Sequence, residues 1–161
     1  VKKWVIADTH FNHKMLVERG YRPAGFENRI LEAWRRMVAP EDLIIHLGDV
    51  SLPDTVAETW ETISNLPGRK ILVMGNHDKR SAKWYMERGF SFACEAFELH
   101  RILFTHEPQL LVPDHALFNV HGHLHGNGHR SFNSGTKHRL MALEYSNYSP
   151  VLIEKIVRKP K

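Results

Sequence analysis

Apolar runs that stop abruptly at polar residues recur along the first half of the chain. Trp4–Ala7 ends at Asp8, the run in DLIIHLGD ends at Gly48 and Asp49, and the run in KILVMGNHD ends at Gly75, Asn76 and His77. Short apolar stretches without alternation fit buried strands. Between them apolar residues recur at helical spacing. Phe26, Ile30, Leu31, Trp34, Met37 and Val38 form one such face, closed by Pro40, and Val56, Trp60 and Ile63 form a second. Pro67 and Gly68 mark a turn, and KRSAKWYMERG reads as a short helix stopped at Gly89. Strand-to-helix units in series predict an α/β chain with parallel strands. After Gly89 the stretches FACEAFELHRILFTHEP and LMALEYSNYSPVLIEKIV carry little helical periodicity, so the second half is predicted to be mainly strand. No low-complexity linker and no repeat of solenoid length interrupts the chain, which is expected to form one domain over residues 1–161.

Composition narrows the chemistry. A chain of 161 residues, 42% hydrophobic, can bury one sizeable core but not two. No stretch is apolar enough for a membrane span, and the N-terminal apolar run is too short for a secretory signal, so a cytoplasmic protein is expected. One cysteine, Cys94, excludes an internal disulfide framework and a thiolate-rich zinc site. Any metal would therefore rest on His, Asp, Glu or Asn. The net charge of +4 favours anionic partners. The basic tail EKIVRKPK reads as solvated.

The polar residues that follow apolar runs form a consistent set: Asp8 and His10, Asp49, Asn76 and His77, His106, and His123 with His125. In open α/β sheets ligands bind at the carboxyl ends of strands, where loops distant in sequence converge. Oxygen and nitrogen donors without thiolate suit Mn²⁺, Fe²⁺, Zn²⁺ or Co²⁺. One bridging carboxylate could hold two ions roughly 3.5–4 Å apart, an arrangement that clamps both oxygens of an in-line phosphoryl displacement. Gly48, Gly75 and Gly122 are expected to let the backbone turn tightly beside these groups. Extended backbone would point His123 and His125 the same way.

Taken in order, DTH, GDV, GNHD, TH and GHLH resemble the five signatures of the calcineurin-like metallophosphoesterase superfamily, over Asp8 to His125. The resemblance implies a four-layer αββα sandwich with a dinuclear centre at one edge. It assigns Asp8, His10, Asp49 and His125 to one metal, and Asp49, Asn76, His106 and His123 to the other, with Asp49 as the bridge. Two divalent ions are implied, Mn²⁺ foremost, with Fe, Zn, Co or Ni as alternatives. His77 takes the place of the family's catalytic histidine, which contacts phosphate and protonates the leaving oxygen, while metal-activated hydroxide attacks. His13, His46, His121 and His129 flank the motifs without matching a ligand position, and supporting or merely structural roles are expected of them.

Substrate is less constrained, since one fold hosts many chemistries. After Gly48–Asp49 the chain reads VSLPD and lacks the Asp-Arg-Gly continuation of Ser/Thr protein phosphatases. DTHFNHK, YRP and NVHGHLH instead resemble small bacterial and phage-encoded phosphoesterases. Arg22 and Arg80 are candidates for phosphate contact, solvated surface being the plainer role for both. The leading expectation is a phosphodiesterase acting on a nucleotide or another small anionic phosphoester. A nuclease on RNA or DNA and a phosphomonoesterase are the enzymatic alternatives, and a non-catalytic protein-binding scaffold is the alternative of another class. No aromatic stacking motif in a basic setting favours nucleic acid.

Overall fold

A computed structural model describes residues 1–127, 131–132 and 136–158. The three apolar runs form β1 (Lys3–Ile6), β2 (Leu43–His46) and β3 (Arg69–Val73), paired in parallel with Ile6 opposite His46 and His46 opposite Leu72. β4 (Phe92–Cys94) adds in parallel to β3. A second sheet holds β5 (Ala96–Leu99), β6 (Ile102–Thr105), β7 (Phe118–His121) and β8 (His138–Leu140) in that spatial order, antiparallel at β5–β6 and parallel beyond. β9 (Val151–Leu152) returns to the first sheet antiparallel to β1, giving the order β4-β3-β2-β1-β9.

The helical faces read from spacing appear as α2 (Phe26–Met37), α3 (Ala57–Ser64) and α4 (Ala82–Met86), after a single-turn α1 (Met15–Glu18) that spacing does not signal. α2 buries Phe26, Ile30, Ala33 and Trp34. It ends when Val38 turns extended, because Ala39 precedes Pro40 and the helical conformation is disfavoured before proline. The Trp34 indole N–H donates to Pro67 O at 2.9 Å, so the ring is buried without an orphaned donor. Val5, Ile45 and Leu72 of the first sheet share one apolar core with Phe104 and Val120 of the second. Two sheets flanked by helices are the architecture that the αββα expectation requires.

The second half is mainly strand as expected, holding β4 to β9, but not throughout. Leu140–Leu143 are buried, but apart from Leu140 they lie outside any strand. After β9 the chain forms α5 (Ile153–Val157), which contacts β1, β8 and β9. Ile153, Ile156 and Val157 recur at i, i+3 and i+4 and pack against the core. That one-turn face is too short to stand out from the β-branched run around it. Among the described residues no helix is long and apolar enough to cross a membrane.

Candidate metal centre

The parallel strands β1, β2 and β3 present their carboxyl ends at one edge, and β6 and β7 bring theirs to the same place. Pairing between β1 and β2 continues past both strands, with Asp8 N–H on Gly48 O at 2.9 Å and His10 N–H on Asp49 O at 3.0 Å. At this edge Gly122 N–H donates to His106 O within the second sheet, and His123 N–H on Asp8 Oδ2, 3.0 Å, ties the two sheets together.

Five of the seven residues the motifs mark as ligands have left-handed backbone: Asp8 (φ 52°), His10 (46°), Asp49 (55°), His123 (67°) and His125 (51°). Such conformations cost a non-glycine residue on the order of 1–3 kcal/mol and cluster where function demands them. His123 and His125 therefore reach the centre from left-handed backbone, with His125 opening a 3₁₀ turn, and not from the extended alternation expected of them.

The glycines also divide by cause. Gly48 has φ 92° and turns the chain as expected. Gly75 and Gly122 lie outside the left-handed region and are needed for close approach. A Cβ at Gly122 would sit 2.5 Å from Asp8 Oδ2, and one at Gly75 would sit 2.7 Å from Asp49 N and collide with Asp49 Oδ1.

The side chains gather into two groups that could each hold a metal ion: Asp8, His10 and His125, and Asp49, His106 and His123. In the first, His10 Nε2 lies 3.2 Å from His125 Nε2, which is 3.7 Å from Asp8 Oδ1. In the second, His106 Nε2 is 3.1 Å from His123 Nδ1, and Asn76 Oδ1 lies 2.8 Å and 3.0 Å from those two nitrogens. Asp49 Oδ2 stands between the groups, 3.5 Å from His10 Nε2 and 3.5 Å from His106 Nε2. His77 flanks this carboxylate. Its backbone N–H donates to Asp49 Oδ1 at 2.9 Å, its Nε2 is 4.0 Å from Oδ2, and its side chain is 40% exposed.

These residues fit divalent cations on physical grounds. His106 donates its Nδ1–H to Leu47 O at 2.6 Å, so its Nε2 lone pair faces Asn76 Oδ1, itself an acceptor. A cation between two such acceptors satisfies both. Asp8 Oδ1 is buried with no hydrogen-bond partner. Burial, reinforced by the Asp49 charge, pushes the Asp8 carboxyl up to about 7 despite His125, the His123 N–H and Arg22. Burial also drives His10 down to about 2, helped by His125 and Arg22, leaving the imidazole neutral as a ligand must be.

Asp78 and Thr9 are supporting residues that spacing does not reveal, and they act beside the flanking histidines. Asp78 is buried and accepts three backbone N–H groups: those of Asp49 (2.7 Å) and Gly75 (2.8 Å) on Oδ2, and that of Val50 (3.1 Å) on Oδ1. It thereby joins the Asp49 loop to the Gly75 loop, and its place in GNHD is the one signal the sequence offers. His46 Nδ1 accepts from Gly48 N–H, so its Nε2–H donates to Thr9 Oγ1 at 2.9 Å, and Thr9 donates onward to Val50 O. His13 Nδ1 lies 3.4 Å from His10 Nδ1. His121 is fully buried, its ring nitrogens at 3.0 Å from Gly122 O and 2.7 Å from Phe132 O. His129 lies outside the described residues.

The two arginines have different fates. Arg22 is buried behind the centre, with Nη1 on Asp8 O at 2.7 Å and Nε on Glu144 Oε1 at 2.9 Å, which corrects the reading of it as solvated surface. Arg80 is partly exposed, paired with Asp54 through bonds of 2.6 and 3.2 Å, and set over the Trp84 ring. It lines a cleft of about 610 Å³ with Trp60, Trp84 and Arg88, which contains none of the clustered histidines.

An uncharacterized protein of Methanocaldococcus jannaschii is 27% identical to the chain over 166 residues, covering 98% of the chain and 90% of that protein. The gene 66 protein of Mycobacterium phage D29 is 35% identical over 81 residues, 47% of the chain and 40% of the phage protein. Among solved structures, a protein of unknown function from Aquifex aeolicus superimposes with a TM-score of 0.77 at 27% identity, covering 96% of the chain and 97% of its own. The family model described as calcineurin-like phosphoesterase matches residues 1–154, and the chain belongs to that metal-dependent family of hydrolases.

Proposed function

We propose that the protein is a dinuclear metal-dependent phosphodiesterase acting on a nucleotide or another small anionic phosphoester. The observation that carries this reading is the position of Asp49 Oδ2, 3.5 Å from a ring nitrogen of each histidine group. Asp8, His10, Asp49 and His125 would hold one ion, and Asp49, Asn76, His106 and His123 the other, with Mn²⁺ the leading candidate on donor type. When bound, such ions acidify water and offset charge on phosphoryl oxygens. The chain supplies the remaining functions. His10 and Asp8 offer buried, desolvated donors, Asp78 fixes the Asp49 backbone, and His77 presents a partly exposed ring beside Asp49 to protonate the leaving oxygen.

A neighbouring cleft of about 450 Å³ shares Asn76 and His106 with the second group and is rimmed by Glu95, Glu107 and Gln109. Two carboxylates there repel extra negative charge, although solvent screens them. This supports a singly charged diester over a doubly charged monoester, and a small ester over a long polyanionic strand. The test is hydrolysis of bis(p-nitrophenyl) phosphate beside p-nitrophenyl phosphate, on metal-stripped protein with Mn²⁺ restored and His77→Ala as control. The proposal expects diester turnover that His77→Ala abolishes while both ions stay bound. A monoester preference, or equal turnover in the variant, contradicts it.

A further inference from the structure

The YRP stretch carries an arginine that the proposed chemistry does not use. Arg22 has no exposed side-chain surface and sits over the rings of Phe26 and Tyr148, 5.0 and 6.0 Å from their centres. Its Nη1 holds Asp8 O at 2.7 Å, its Nε donates to Glu144 Oε1 at 2.9 Å, and its Nη2 lies 3.3 Å from His125 Nδ1. The same Glu144 Oε1 is 3.6 Å from that His125 nitrogen. We propose that Arg22 and Glu144 form a clamp that fixes the tautomer and orientation of His125, making them positioning residues for the half of the centre built on Asp8, His10 and His125. This rests on the metal-centre reading above.

The clamp works through the choice of which nitrogen of His125 carries the proton. Nε2 faces His10 Nε2 and Asp8 Oδ1, so it must keep its lone pair to ligate a cation. The proton then belongs on Nδ1, and of the two groups beside Nδ1 only the carboxylate can accept it, since a guanidinium has no acceptor. Arg22 Nη2 is the nearer group, at 3.3 Å against 3.6 Å for Glu144 Oε1, and its donation to Nδ1 would leave the proton on Nε2, pointing at the cation site, so ligation requires Nδ1–H to turn to Glu144. Glu144 therefore selects the ligating tautomer. Arg22 holds Glu144 within reach and, through Asp8 O, ties the clamp to the loop that carries a second ligand. Carboxylates that orient a ligating histidine in this way raise metal affinity on the order of 10–100-fold.

The second half of the centre is fixed differently. His106 Nδ1 is held by the backbone carbonyl of Leu47, which no side-chain substitution removes. Loss of the clamp should therefore weaken one ion and spare the other, whereas a merely structural ion pair would lower thermal stability and leave the two affinities in their original ratio.

The experiment titrates Mn²⁺ into metal-free wild type, Glu144→Ala, Glu144→Gln and His125→Ala, with calorimetry for affinity, elemental analysis for stoichiometry and melting temperature recorded alongside. His125→Ala marks the binding step that belongs to the first half. The clamp predicts two ions in wild type and a drop of about 10–100-fold in Glu144→Ala confined to the step that His125→Ala removes. Glu144→Gln, which keeps an acceptor oxygen, should fall between. Unchanged affinities in Glu144→Ala, or equal weakening of both steps, overturns the clamp while leaving the centre intact. Wild type that binds no Mn²⁺ overturns the centre itself. Arg22→Met is informative only if it folds, so the partly exposed Glu144 is the deciding position.

Discussion

Replacing Gly75 with alanine adds one methyl group at a position whose backbone is not left-handed, so the consequence is steric. The new Cβ would collide with Asp49 Oδ1 and lie 2.7 Å from Asp49 N and 2.9 Å from His106 Cε1. None of these atoms is the free end of a flexible side chain. Asp49 Oδ1 accepts from His77 N–H at 2.9 Å, Asp49 N–H is held by Asp78 at 2.7 Å, and His106 is held by Leu47 O at 2.6 Å. Overpacking of this kind costs about 1–3 kcal/mol. In a chain of this length that is roughly 2–4 °C of melting temperature per kcal/mol. The larger effect falls on function, because a shift near 1 Å in a reacting geometry can cost on the order of 100-fold in rate. Gly126→Ala is the control, since its nearest neighbour would be at an ordinary 3.6 Å. The assay pairs thermal unfolding with diester turnover under saturating Mn²⁺. Gly75→Ala that melts and turns over like Gly126→Ala would refute the close-approach argument.

Three further outcomes are expected. Because Asp8 is raised to about 7, it is protonated below that pH in the metal-free protein, and a cation must displace the proton. Affinity of the first half for Mn²⁺ should thus fall as pH drops below about 7, with proton release detectable in calorimetry run in buffers of different ionisation enthalpy; a flat profile from pH 5 to 8 would contradict this. His46 is depressed to about 3 by burial, with the His106 charge adding to it, so on acidification the unfolded chain takes up a proton below its ordinary value while the folded one does not. Metal-free protein should lose stability from this group between about pH 6.5 and 3, by several kcal/mol in order of magnitude, and His46→Gln should flatten that slope in urea unfolding. Arg80→Ala should change stability by less than about 1 kcal/mol, as exposed ion pairs do. Its guanidinium is already engaged by Asp54, so a KM rise beyond tenfold, worth about 1.4 kcal/mol, would mark it as a substrate contact.

The strands that carry the centre were legible because their apolar runs end at chemically distinctive residues. Asp8, Asp49, Asn76 and His106 follow β1, β2, β3 and β6, and the structure brings them to one edge. The histidines of GHLH were legible as a pair, but their left-handed backbone was not, since nothing in His123 or His125 distinguishes it from an extended strand end. Glycine at 75 and 122 was visible while its cause was not, because close approach depends on Asp49 and Asp8, which are distant in sequence. Glu144 could not be found at all: it lies 122 residues from Arg22 and belongs to no periodic face. Arg22 misled for a related reason, as an arginine beside a turn proline suggests solvent until its carboxylate and carbonyl partners are known. The short helix α5 was hidden in a β-branched run whose burial only tertiary packing reveals.

Anomalous diffraction from crystals grown with Mn²⁺ reveals whether Asp49 bridges two ions. The expected result is two manganese peaks per chain, both in contact with Asp49, one also touching Asp8, His10 and His125 and the other Asn76, His106 and His123. A single peak at saturating Mn²⁺, or two peaks that do not share Asp49, would contradict it.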